Sequence, residues 1–263
     1  MKPHRRTLFL TALLLCCAVA LAQQPPAPST QSAAPNQLPS SSMSAADLEQ
    51  HGDDLRTQKS YADALDYYRL ALRKQPTAVL ANKMGIVELQ MARFPEARKS
   101  FEKSTKIDKK YADAYNNLGV IYYLQKKYGK AIKYYEKAIK YGDSASFHSN
   151  LGTAYFADKQ LQKALPEYTR AMQLDPEVFE HRSTTGVSAQ MSSPDDRAQF
   201  AFVLARMYAA SGNLDRSLEY LRKAIEDGYK GIDAVYQESE FATLRKDKRF
   251  SELMASRPVS IPQ

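Results

Sequence analysis

The chain predicts an all-α solenoid of about five antiparallel helix pairs closed by a C-terminal helical cap. Three observations carry that prediction. Glycines at 52, 85, 119 and 152 recur at intervals of 33, 34 and 33 residues. Twelve residues after each glycine comes an alanine, and four after the alanine an aromatic ring: Ala64 with Tyr68, Ala97 with Phe101, Ala131 with Tyr135, Ala164 with Tyr168. Three residues further on stand Ala71, Ser104, Ala138 and Ala171. A fixed period of this length marks stacked repeats, because a single helix pair leaves an apolar face that only a neighbouring pair covers.

Residues 1–22 read as an export leader rather than part of the fold. Lys2, Arg5 and Arg6 precede an apolar run from Leu8 to Leu21, and Ala20-Leu21-Ala22 supplies small residues for cleavage, leaving Gln23 first. The run is shorter than the roughly 20 residues a membrane-spanning helix needs. A lipid anchor on Cys16 or Cys17 fits less well, since Leu15 stands where a small residue is wanted. Both cysteines fall in this leader, so the chain after cleavage has no disulfide, thiolate nucleophile or cysteine metal site. Losing Lys2, Arg5 and Arg6 also lowers the formal charge from +8 to +5. Residues 23–44 form a linker rich in Pro, Gln and Ser, without a charged residue and with too little apolar surface to order itself.

Four units follow, at 45–77, 78–111, 112–144 and 145–178. In each, Gly and Ala fall where two helices cross, since a larger side chain there would push the axes apart. The third unit places one helix over about 112–125 and the next over 128–141. Pro95 suits a first helical turn, where its missing N–H is no loss, and Asp175-Pro176 ends the fourth pair. Residues 179–197 lack an apolar helical period and read as an insertion loop. A looser fifth unit spans 198–231, with Leu204, Ala205, Tyr208, Leu214, Ser217, Leu221 and Ala224 in register. Residues 232–263 read as a helical cap and tail, with Phe241, Leu244, Phe250 and Leu253 as buried contacts.

On these glycines, alanines and rings, the stretch 45–178 resembles the tetratricopeptide repeat family. Four units in tandem and in register make the resemblance specific. It implies a non-catalytic protein-interaction module whose first helices line a concave groove.

The residues agree that chemistry is absent. No phosphate-cradling loop or HExxH motif occurs, and the segment 186–190, GVSAQ, lacks the second glycine of a nucleophile elbow. Asp53 with Asp54, and Asp195 with Asp196, have no visible acid–base partner. His51, His148 and His181 lie in different units, and His51 reads as a partly buried structural residue. No catalytic residue, metal or cofactor is expected.

What remains is a surface. By repeat position the groove lining is Asn82, Ile86 and Leu89 in the second unit, Asn116, Val120 and Tyr123 in the third, and Ser149, Thr153 and Phe156 in the fourth. Amides and apolar anchors of this kind suit an extended peptide or a partner helix, and Tyr123 is the expected ligand contact. Glu49, Asp53 and Arg56 make the first unit's end acidic. Family members that clamp an acidic tail use lysine and asparagine where Glu49 and Asp53 stand, so such a clamp is not expected here.

Charge is local. Residues 103–140 hold ten lysines against Asp108, Asp113 and Glu136, and Lys130, Lys133, Lys137 and Lys140 form one outward stripe. The stripe reads as a solvated face, with weak contact to an anionic envelope surface as its sharper use. Nucleic acid is not expected. The sequence thus predicts an exported adaptor or scaffold, periplasmic in a two-membrane bacterium and otherwise secreted, binding an envelope protein. The second expectation is a structural subunit of an envelope assembly machine, of the outer-membrane protein insertion or pilus biogenesis type.

Overall fold

The computed structural model describes residues 39–180 and 193–256. The expected leader, the linker up to residue 38, residues 181–192 of the expected insertion, with His181, and the tail from 257 lie outside the described residues. Four helix hairpins come first: α1 (Ala45–Thr57) with α2 (Tyr61–Lys74), α3 (Ala78–Gln90) with α4 (Phe94–Ile107), α5 (Ala112–Leu124) with α6 (Tyr128–Tyr141), and α7 (Ala145–Ala157) with α8 (Leu161–Leu174). The first helix of each pair has 13 residues and the second 14.

Their identical lengths follow from identical turns. Lys59, Ala92, Lys126 and Lys159 all lie in the left-handed region, with φ of 63°, 57°, 57° and 62°. In the third hairpin the Lys126 N–H donates to the Tyr123 carbonyl at 2.8 Å and the Lys127 N–H to the Tyr122 carbonyl at 2.9 Å. The doubled bond closes the helix end and reverses the chain.

Inside each hairpin the glycine faces the aromatic ring 16 positions on. A Cβ added at Gly52, Gly85 or Gly119 would stand 2.5 Å from the ring of Tyr68, Phe101 or Tyr135, and one at Gly152 would stand 2.7 Å from Tyr168. Ala64, Ala97, Ala131 and Ala164 are fully buried beside these rings, which is why the repeat tolerates nothing larger.

The fifth hairpin departs from the array. It pairs α9 (Pro194–Ala210) with α10 (Leu214–Glu226), so α9 begins inside the 179–197 segment expected to be a loop. Ser193 caps it by accepting from the Asp196 N–H, with proline in the first turn. The sequence is silent on this helix start because the buried face of α9 begins only at Ala198.

The direction of α9 is also unlike that of α3, α5 and α7. Lys159, just before α8, meets Asp196 in the first turn of α9 at 2.8 Å. The Tyr208 hydroxyl, near the end of α9, donates to the Pro176 carbonyl just after α8 at 3.2 Å. Thus α9 runs parallel to α8, whereas the short turns before α3, α5 and α7 force antiparallel neighbours. The long connection from Asp175 to Ser193 gives the chain enough length to return. A cluster of rings seals the junction, with Tyr168–Phe200 at 5.3 Å, Tyr168–Phe179 at 5.6 Å and Phe156–Phe200 at 6.0 Å.

Three 3-10 turns (Ile232–Tyr236, Ser239–Phe241, Leu244–Lys246) and α11 (Lys248–Ala255) close the described chain. Val235, Phe241, Leu244, Phe250 and Leu253 are buried there. Arg245 ties the turns together, donating to the carbonyls of Val235 and Glu238, both at 2.8 Å.

Candidate functional site

The stripe expected to line the groove runs along α1, α3, α5 and α7. Of its nine residues in the second to fourth hairpins, Asn82, Leu89, Asn116, Val120, Tyr123, Thr153 and Phe156 are buried, and only Ile86 and Ser149 are half-buried. The stripe is therefore much less open than an expected peptide seat.

The asparagines are buried because neighbouring hairpins bond to each other through them. Asn117 Nδ2 donates to Asn82 Oδ1 at 2.9 Å, and Asn150 Nδ2 donates to Asn116 Oδ1 at 2.8 Å. A lateral bond of 3.3 Å from Asn116 Nδ2 to Asn117 Oδ1 joins the two. In the first step of the same series Lys83 Nζ lies 2.6 Å from Glu49 Oε1 and 2.6 Å from Asp53 Oδ2. Lys83, Asn117 and Asn150 all stand two residues before a repeat glycine, and each reaches back to the preceding first helix. The amides of Asn82 and Asn116 are consequently not free for a ligand backbone.

The same bonds correct the acidic end. Lys83, bonded to Glu49 and Asp53, and Arg56, 3.9 Å from Asp53, together balance the two carboxylates, and the Tyr68 hydroxyl donates to Asp53 at 2.6 Å. Burial, followed by this carboxylate, raises the Tyr68 hydroxyl far above the usual tyrosine range. Tyr111, which the sequence did not single out, hydrogen-bonds Asn82; burial first, and Asp113 next, push its hydroxyl up to about 12.

Tyr123 and Phe156 are packing residues. Tyr123 tilts against Tyr128 at 5.4 Å, and burial, then Tyr128 and Asp196, push its hydroxyl up to about 12. Phe156 belongs to the ring cluster under α9. Thr153 Oγ1 donates to the Ser149 carbonyl at 2.8 Å. What stays accessible on the stripe is Ile86, Ser149 and two residues of the same helix face, Val79 (40% exposed) and Leu124 (49%).

His51 is exposed, not partly buried, and leans on the Tyr67 ring at 5.6 Å. His148 is held by two carboxylates that sequence spacing did not reveal, Glu167 at Nδ1 (2.6 Å) and Asp143 at Nε2 (2.9 Å). Arg170, and then His148, hold the Asp143 carboxyl below the usual range. With both ring nitrogens occupied, His148 braces α7 against α8 and offers no base. A cleft of about 980 Å³ lies between α10 and α11, but Arg249 bridges it to Asp215 at 2.7 Å and Glu219 pairs with Lys223 at 2.7 Å. Among the described residues no cluster of His, Cys, Asp and Glu is arranged to hold a metal, and no helix is long and apolar enough to cross a membrane.

A model of the tetratricopeptide repeat matches residues 76–141, and one of the fourth ARM domain of tetratricopeptide repeat protein 21 matches 116–256, more than half of the chain. The chain belongs to the tetratricopeptide repeat family. This tetratricopeptide chain is 27% identical over 92 residues to the Hsp70-Hsp90 organizing protein of Triticum aestivum, a match covering 34% of this chain and 16% of that protein's length. Its fold is like that of PilF from Pseudomonas aeruginosa, with a TM-score of 0.52 at 16% identity over 81% of this chain and 97% of the other. MamA from Desulfovibrio magneticus RS-1 gives a TM-score of 0.48 at 19% identity, over 72% and 96%. Proteins of the family are interaction modules that work without catalysis.

Proposed function

We propose that this tetratricopeptide protein is an exported, non-catalytic scaffold that seats a segment of another envelope protein on the stripe of its first helices. The observation that carries the reading is the set of side chains left open on that stripe. Val79 and Ile86 on α3 and Leu124 on α5 present apolar surface, and Ser149 on α7 a hydroxyl, while the polar residues between them are fixed by bonds across the array. Such a rigid lining favours a partner that brings apolar anchors at hairpin spacing and satisfies its own backbone, which suits an amphipathic helix better than an extended strand. Tails bound through a carboxylate clamp fit poorly, because Lys83 already has two carboxylate partners.

Photo-crosslinking side chains at Ile86 and Ser149 test this in the native envelope. The expected result is one adduct at both positions, lost when Val79 and Leu124 are replaced by aspartate in a chain with an unchanged circular dichroism spectrum. The reading fails if the adducts are the same as those formed from the outer position Lys137, or persist in the double variant. Export is tested separately by N-terminal sequencing of the envelope fraction: a first residue of Gln23 supports it, and an intact Met1 in the cytosol overturns it.

A further inference from the structure

The second helices of two adjacent hairpins carry matching cations. In α4 the buried residues Ala97, Phe101 and Ser104 are each followed two positions on by Lys99, Lys103 and Lys106; in α6 the buried Ala131, Tyr135 and Ala138 are followed likewise by Lys133, Lys137 and Lys140. Two positions are about 200° round a helix, so all six side chains leave their helices on the side opposite the buried residues. They are exposed, and because the two hairpins share one internal geometry, the two rows face the same side of the array.

These charges are not cancelled locally. Among the described residues none of the six forms an ion pair with a carboxylate. Of the acids that share their helices, Glu102 is directed toward Arg98 at 3.9 Å and Glu136 accepts from the Tyr155 hydroxyl at 2.9 Å, while Glu96, in the first turn of α4 three residues before Lys99, forms no ion pair with it among the described residues. Lys137 rests over the Tyr115 ring at 4.2 Å and Lys140 lies 6.0 Å from that of Tyr141, contacts that leave a cation's charge intact. Lys130, part of the stripe read from sequence, falls outside the matched set, since α4 has Glu96 at its position.

We propose that this six-lysine face docks the protein on an anionic lipid bilayer. The face is built from single ammonium groups rather than from the forked donors of a guanidinium. It offers two parallel rows of long, mobile cations, which match a laterally extended sheet of negative charge rather than a single line of carboxylates. Each lysine near such a surface is worth about a five-fold change in partitioning. The face lies on the second helices of the hairpins, while the proposed partner stripe lies on the first, so the two contacts are compatible.

The test is co-sedimentation of the full chain with vesicles of phosphatidylglycerol and phosphatidylcholine against pure phosphatidylcholine, at low and at physiological salt. Any contribution of the apolar stretch Leu8 to Leu21, and of the basic residues before it, is common to all variants. The variant Lys99→Gln, Lys103→Gln, Lys133→Gln, Lys137→Gln is expected to lose on the order of 100-fold or more in partitioning to the anionic vesicles. A control with Lys59, Lys230, Lys246 and Lys248 changed to Gln carries the same net charge and should lose less than about ten-fold. Equal loss in both variants, no loss in the first, or binding to polyglutamate at salt where anionic vesicles do not bind would overturn the proposal.

Discussion

Asn117 and Asn82, 35 residues apart in sequence, share a buried 2.9 Å hydrogen bond between the first helices of adjacent hairpins. Asn150 and Asn116 repeat the bond one hairpin further on, and Lys83 makes the charged version to Glu49. The helices stack on apolar surface, which is tolerant of small slips; the polar steps are directional, so they fix the register with which one hairpin sits on the next.

Asn116 occupies the centre of this ladder, accepting from Asn150 and donating to Asn117. Asn116→Ala removes the oxygen that accepts from the Asn150 amide in a buried site. It should lower unfolding stability by about 1–3 kcal/mol, measured by urea denaturation. A change below about 0.3 kcal/mol would mean that the ladder is not what holds the register.

This ladder also marks the limit of what the sequence made legible. The glycine, alanine and ring positions gave the hairpins, because the clash of a Cβ with a ring is a local, repeated constraint. The same repeat logic placed Asn82 and Asn116 on the groove stripe, but not the side chains from the next hairpin that reach back to them. Position in a repeat says which way a residue points, not what meets it. The burial of Tyr123 and Phe156 is not legible in the sequence for a related reason: the tilt of Tyr123 on Tyr128 and the reversed course of α9 over Phe156 depend on turns and chain length that carry no periodic signal.

Lys126 lies at φ 57° in the turn between α5 and α6, and the fifth hairpin has Gly212 at φ 79° in the corresponding turn. A side chain in this region carries roughly 1 kcal/mol of strain. Lys126 is exposed, and among the described residues its side chain forms no ion pair. Lys126→Gly should therefore stabilise the chain by about 0.5–1 kcal/mol, partly offset by greater freedom of the unfolded state. A calorimetric midpoint that falls would contradict the account of the turn.

Glu88 is buried between α3 and α4, accepting a 2.6 Å hydrogen bond from Ser100. Burial raises its pKa above the usual glutamate value, against the opposing pull of Ser100 and Arg69. A carboxyl whose folded pKa lies above its unfolded value binds its proton more tightly in the fold, so its stabilising effect is present at low pH and is lost as pH rises through the folded value. Glu88→Gln should remove that loss. The variant is expected to be more stable than the wild type at pH 7, with the difference shrinking as pH falls into the unfolded carboxylate range. A difference that grows on acidification would reverse the sign and refute the assignment.

Tyr68 and Tyr135 occupy equivalent places in the first and third hairpins and are both fully buried, yet their hydroxyls differ. That of Tyr68 reaches Asp53 at 2.6 Å; the one on Tyr135 has no hydrogen-bond partner among the described residues, because Val120 stands where Asp53 stands in the first hairpin. Burial accordingly raises the Tyr135 hydroxyl well above its ordinary pKa. Tyr68→Phe should cost about 1–2 kcal/mol by deleting a bond to a charged acceptor. Tyr135→Phe should be neutral or stabilising by up to about 1 kcal/mol, since it removes a polar group that burial disfavours. Val120→Thr in the wild-type background should stabilise as well by supplying an acceptor, and the gain should vanish when combined with Tyr135→Phe. A double-mutant cycle by thermal denaturation reads this coupling directly; additivity of the two changes would show that the threonine acts through something other than the tyrosine hydroxyl.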